Sequence, residues 1–298
     1  MADIQALIDA GKAHYEAEEA FEALETYEQA LTAAQDTENT KHQADAITGI
    51  GEVYVGLNEF NDATAQFEQA LALYRDLDDQ KGEAYSLSNL GMVHDAQGRK
   101  NDALNYYEQA LRLFQAIPNK EGKALSLSNI GIVYSAQGDK AKAIEFYQQA
   151  LKVYRDIDDQ SGEGAMLNNI GKAYDTLKDR EQAMHYFEQA LAIRQEIKDR
   201  KGEATTLNNI AGLYAGSGNK QEAITYFEQA RPILEDLGDK RGLITTITNI
   251  AASYASIGEA RKAADIKKQI KKLEKEIKTE LKQIKAKKKA YKRAKKKK

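Results

Sequence analysis

The chain has 298 residues, 42% of them hydrophobic and 30% charged, a balance that suits a soluble globular protein with a core of its own. It contains no cysteine, which excludes disulfides, thiolate metal sites and cysteine nucleophiles. The formal net charge of -3 conceals a division: Lys271 to Lys298 carries 15 Lys and Arg against 3 Glu, net +12, and the residues before it carry 28 against 43, net -15.

From its first residues onward the chain repeats itself. The triplet EQA or QQA ends at Ala30, Ala70, Ala110, Ala150, Ala190 and Ala230, a period of 40 without a slip. Each period predicts two helices. In the fourth copy Leu127, Ile130, Gly131 and Tyr134, spaced 3, 1 and 3, make one helix face; Gly138 supplies a left-handed turn; Ala143, Tyr147 and Ala150 make the face of a second helix. Small residues recur at Gly51, Gly91, Gly131 and Gly171 on the first helix and at Ala63, Ala103, Ala143 and Ala183 on the second, and the rings of Phe67, Tyr107, Tyr147 and Phe187 fill the space between hairpins. One hairpin alone leaves those rings half in water, so neighbours must stack. The expected fold is an all-α solenoid of seven hairpins over residues 1–260, with repeats at about 4–43, 44–83, 84–123, 124–163, 164–203, 204–243 and 244–272. Stretches such as DDQSGEG, Asp158 to Gly164, are expected to connect them.

Small residue, Tyr, Gly, Ala, aromatic and Ala at these offsets resemble the tetratricopeptide repeat (TPR) over roughly residues 4 to 272. That resemblance implies a right-handed superhelix. The usual 34-residue repeat carries a proline near its end; here Arg75, Arg155 and Glu235 stand in that place, and the second helix is expected to run on. This long form is similar to the repeats of the LGN and Pins scaffolds and, more loosely, to kinesin light chains, families that bind extended peptides of partner proteins. Acidic GoLoco motifs have no counterpart here, so G-protein binding is not carried over.

Asn89, Asn129, Asn169, Asn209 and Asn249 recur one step before the Leu or Ile of the core face, each preceded by a polar residue: Ser88, Ser128, Asn168, Asn208 and Thr248. The resemblance places the first helices along a concave groove, and an amide offers the donor and acceptor that an extended peptide backbone needs. The same alignment puts variable groove positions at Glu52 and Val55, Met92 and Asp95, Ile132 and Ser135, Lys172 and Asp175, and Gly212 and Ala215. LGN-like proteins often have a second asparagine at the first of each pair, and this chain does not. The asparagines could instead bond to the neighbouring hairpin and fix its stacking. Both readings stay open at this stage.

Catalytic and metal motifs are not found. His14, His42, His94 and His185 are scattered, and His94 occupies the site of Tyr54, Tyr134 and Tyr174, which points to packing. The run DLDDQ, Asp76 to Gln80, lacks the glycine and glutamate of a calcium loop and reads as a helix exit followed by a cap. Pro232 falls inside a predicted second helix and should kink or loosen it, and Pro118 falls in a connector.

The last helix keeps an apolar stripe of Ile266, Ile270, Leu273, Ile277, Leu281 and Ile284 among lysines. Residues 261–284 are expected to cap the solenoid, and the Lys-rich residues 285–298 to be disordered. No segment has the roughly 20 apolar residues of a membrane span, and the acidic opening has no long apolar run, so a cytoplasmic location is expected. The reading is a non-catalytic scaffold with a protein or peptide partner, no cofactor and no small-molecule substrate. The alternative is a charge-driven adaptor whose tail binds an anionic membrane or nucleic acid while the solenoid self-associates.

Overall fold

From Ala20 to Ala260 a new helix begins every 20 residues. The computed structural model describes residues 3–295, which hold fourteen α-helices and no strand: α1 Ile4–Glu16, α2 Ala20–Asp36, α3 Thr40–Gly56, α4 Phe60–Asp76, α5 Gln80–Ala96, α6 Lys100–Ala116, α7 Lys120–Gln137, α8 Lys140–Asp156, α9 Gln160–Thr176, α10 Arg180–Glu196, α11 Arg200–Gly216, α12 Lys220–Asp236, α13 Lys240–Ser256 and α14 Ala260–Lys295.

The 20-residue beat comes from how each helix stops. A left-handed residue follows most helices: Glu18, Glu38, Asn58, Asp78, Gly98, Gly138, Asp158, Lys178, Lys198, Gly218, Gly238 and Gly258 all have positive φ. Such a residue turns the chain and lets a later N–H return to the last helical turn, as Asp79 N–H does to the Tyr74 carbonyl at 2.9 Å. At the one missing beat stands Pro118. Its ring forbids positive φ, and Ile117 goes extended instead, with φ -95° and ψ 141°.

The next helix is then started by a side chain. Asn39, Asp79, Asn119, Asp159, Asp199 and Asp239 each accept the N–H of the residue three places on, at 2.8–3.1 Å. These caps set where the first helices begin, relative to the expected repeats. First helices begin at Thr40, Gln80, Lys120, Gln160, Arg200 and Lys240, about four residues early, and most of DDQSGEG is helix rather than connector. The reading of DLDDQ as a helix exit followed by a cap agrees with the structure, in which Asp79 is the capping residue.

The chain divides into two compact units, Met1–Asp139 and Lys140–Lys298. In the first, α1 pairs with α2, α3 with α4 and α5 with α6, and α7 packs on α5 and α6. In the second, α8 packs on α9, which pairs with α10, and α11/α12 and α13/α14 follow as hairpins. Close approach inside a hairpin depends on the small residues. A Cβ at Gly51 would lie 2.6 Å from the Phe67 ring, and one at Gly91 or Gly171 would lie 2.7 Å from Tyr107 or Phe187. These rings are buried, and truncating a core phenylalanine typically costs about 3–5 kcal/mol.

α12 continues through Pro232 as one helix, with the proline exposed. One expectation about the second unit changes. α14 does not end near Ile284 but continues to Lys295, through residues expected to be disordered. After Gly258 the chain has neither glycine nor proline, and lysine and alanine are good helix formers. Residues 296–298 of the expected tail lie outside the described residues.

Candidate functional site

Each first helix buries its Leu/Ile/Gly face against its partner and leaves another face to solvent. On α5 that face carries Tyr85, Asn89 and Met92, and on α7 it carries Leu125, Asn129 and Ile132, at spacings of 4 and 3. Met92, Leu125 and Ile132 are 38%, 38% and 41% exposed, unusual for large apolar side chains. Asn89 and Asn129 sit half-buried among them, and their amides carry no hydrogen bond to another described residue. Leu125 and Tyr85 were missed in the sequence, although they lie four residues before Asn129 and Asn89.

The polar residue before the asparagine does not share this face on α5, α7 and α9. One step along a helix turns the side chain by about 100°, toward the neighbouring first helix. Ser88, Ser128 and Asn168 are consequently buried, at 4%, 4% and 8% exposure, and do not line a groove as expected. The Ser128 hydroxyl donates to the Ala124 carbonyl at 2.8 Å.

In the second unit the amides partly satisfy one another. Asn209 Nδ2 donates to Asn168 Oδ1 at 2.8 Å, and Asn208 Oδ1 accepts from Thr246 Oγ1 at 3.0 Å, tying α9 to α11 and α11 to α13. Asn169 stays half-buried without such a bond, and Asn249 and Thr248 are exposed. Beside them stand exposed Lys172 and Gly212 and half-buried Asp175 and Ala215. This face is small and polar where that of α5 and α7 is apolar.

The charged variable positions differ in their surroundings. Asp95 is held by the Lys100 ammonium at 2.7 Å. Glu52 is different: burial pushes its carboxyl above the usual range, opposed by Lys12. Its charge in turn helps raise the phenols of Tyr15 and Tyr27, both raised chiefly by burial, the latter to about 12. On the first unit, Lys41 binds Asp79 at 2.7 Å and lies 4.6 Å from the Tyr74 ring centre, while the Tyr74 hydroxyl donates to Asp45 at 2.7 Å. That cluster links α3 to α4 and to the start of α5. His94 is buried edge-on against Tyr106, with ring centres 4.9 Å apart. Among the described residues no group of three or more His, Asp or Glu is arranged to hold a metal.

Paired helices of 17 residues, small residues at the crossing and ringed hairpin interfaces define an all-α helical-repeat protein. The tetratricopeptide repeat model matches residues 3–76, 82–156, 124–196, 162–236 and 202–273, and the chain belongs to that family. A search of the curated proteins found no match. Solved structures share the fold at low identity. Aspartyl phosphate phosphatase F from Bacillus subtilis is 16% identical, with a TM-score of 0.71 over 90% of this chain and 69% of its own. The Rap conjugation gene regulator of plasmid pLS20, in complex with the Phr* peptide, is 17% identical, with a TM-score of 0.68 over 93% and 75%. The kinesin light chain TPR-like repeats of Podosopora anserina are 17% identical, with a TM-score of 0.54 over 66% and 96%.

Proposed function

We propose that the protein is a non-catalytic scaffold that holds an extended segment of a partner protein along the exposed faces of its first helices. The observation that carries this is the pair Asn89 and Asn129, whose amides are unspent beside exposed Met92, Leu125 and Ile132. Hydrogen bonds alone would not suffice. At a net of about 1 kcal/mol each, they barely meet the roughly 2–5 kcal/mol needed to order a disordered segment. Met92 and Ile132 are 38% and 41% exposed, and covering that fraction adds roughly 0.6–1.2 kcal/mol for each, so the segment should bring several apolar side chains to α5 and α7. Asn169 and Asn249, with Lys172 and Asp175, offer a second, polar stretch on the other unit.

The peptide-bound Rap regulator lends support, since it is a protein of the same fold with a peptide ligand. The phosphatase named among the similar structures lends no activity, because 16% identity shows the fold alone. Among the described residues no helix is long and apolar enough to cross a membrane; a cytoplasmic site of action belongs to this proposal.

Selection of a displayed random-peptide library on the intact chain tests it. Enriched peptides should carry apolar residues, and should lose about tenfold in affinity for an Asn129→Ala/Ile132→Ser chain while still binding one that lacks Lys285 to Lys298. Peptides that ignore the double substitution, or that need the tail, would refute groove recognition and favour the charge-driven alternative.

A further inference from the structure

α14 outruns the helix that covers it. Its partner α13 begins at Lys240, and the Lys240 ammonium grips Glu276 at 3.2 Å and Glu280 at 2.6 Å, marking where that cover ends. Before that point the α14 stripe is packed: Ile266 is buried, and Ile270 and Leu273 lie against the core of the last two hairpins. Past it the stripe continues unaltered, but Leu281 and Ile284 are 42% and 47% exposed. About 15 residues, or roughly 22 Å of helix, project from this point to Lys295.

Charge changes at the same place. All three glutamates after Ile270 precede Leu281, and Leu281 to Lys298 holds 11 Lys and Arg with no acidic residue. We propose that this projecting end of α14 is an amphipathic foot that lies on an anionic lipid bilayer, Leu281 and Ile284 entering the headgroup boundary while the lysines face the lipid phosphates.

Three occupants compete for such a face, and the residues separate them. A second copy of the projecting end would set one cationic rod against another, with no acid from Leu281 onward on either to offset the repulsion. A nucleic acid would use the lysines but has no use for Leu281 and Ile284, and Tyr291 is the only ring on the segment for a base to stack on. An anionic bilayer uses both features: surface-lying helices combine a lysine-rich face with an apolar one, and cationic segments are drawn to anionic headgroups. The helix lies on the surface rather than spanning it, since it is not apolar enough to cross. This inference is independent of the peptide-binding reading, because it concerns other residues on another surface.

The test is co-sedimentation of the full chain with phosphatidylcholine vesicles, with and without phosphatidylglycerol, at low and physiological salt. The chain should pellet with the anionic vesicles only. A Leu281→Gln/Ile284→Gln chain should show at least a tenfold lower partition coefficient with unchanged helical circular dichroism, as both residues are exposed. Lys285→Glu/Lys289→Glu should lose binding at physiological salt. Failure to pellet at either salt overturns the proposal. So does equal partitioning of the Leu281/Ile284 variant, and so does stronger binding to duplex DNA that ignores those two substitutions.

Discussion

Asn209 donates its amide N–H to the carbonyl oxygen of Asn168, 2.8 Å away on the preceding first helix. One amide of a row that looks uniform in sequence is therefore a structural tie, and those of Asn89 and Asn129 are unspent. Asn168→Ala and Asn209→Ala should each destabilise the chain by about 1–2 kcal/mol, with a coupling of about 1 kcal/mol in a double-mutant cycle. Urea unfolding of Asn129→Ala should instead match the parent within about 0.5 kcal/mol. Equal losses at all three sites would assign the whole row to stacking.

Glu52 should make the protein less stable while ionised. Burial raises its folded pKa, so the folded state holds the proton more tightly than the unfolded chain does. Its unfavourable contribution is therefore present above the folded value and fades as pH falls toward the unfolded one. Glu52→Gln should exceed the parent in stability near pH 7 and approach it near pH 4 in denaturant titrations.

Asp79 has the opposite sign. Burial pushes its carboxyl up, but hydrogen bonds from Gly82 N–H and the Lys41 ammonium outweigh it and hold the group below the usual range. Its contribution is thus present above the unfolded pKa, near 4, and is lost as pH falls through the lower folded value. Asp79→Asn keeps an acceptor for Gly82 but not the charge. Thermal melts between about pH 5 and pH 2 should show a shallower decline in that variant.

Left-handed turns offer a paired test. Lys178 has φ +67° and Gly138 φ +92°, a region that penalises residues with a Cβ. Lys178→Gly should gain about 0.5–1 kcal/mol and Gly138→Ala should lose about 1 kcal/mol. Identical melting temperatures for both variants and the parent would mean that the turn residues carry no strain.

Pro232 is exposed within α12. Replacing it with alanine restores a backbone donor in the helix interior, and Pro232→Ala should raise unfolding stability by roughly 1–3 kcal/mol.

Period, hairpins and core were determined by the sequence itself, because a side chain's burial on a regular helix depends on its position modulo one turn, and Gly91 as a small residue on the packed face follows from that spacing; that Tyr107 is the ring it meets is a tertiary contact. The cap at Asp79 was legible for the same local reason. Which amides are spent was decided only by tertiary structure: Asn168 and Asn209 are 41 residues apart, and their bond depends on how far one helix turns its face toward the next. How much of α14 is covered was likewise fixed by where α13 begins, since the stripe that packs at Ile266 is the same one that stands open at Ile284.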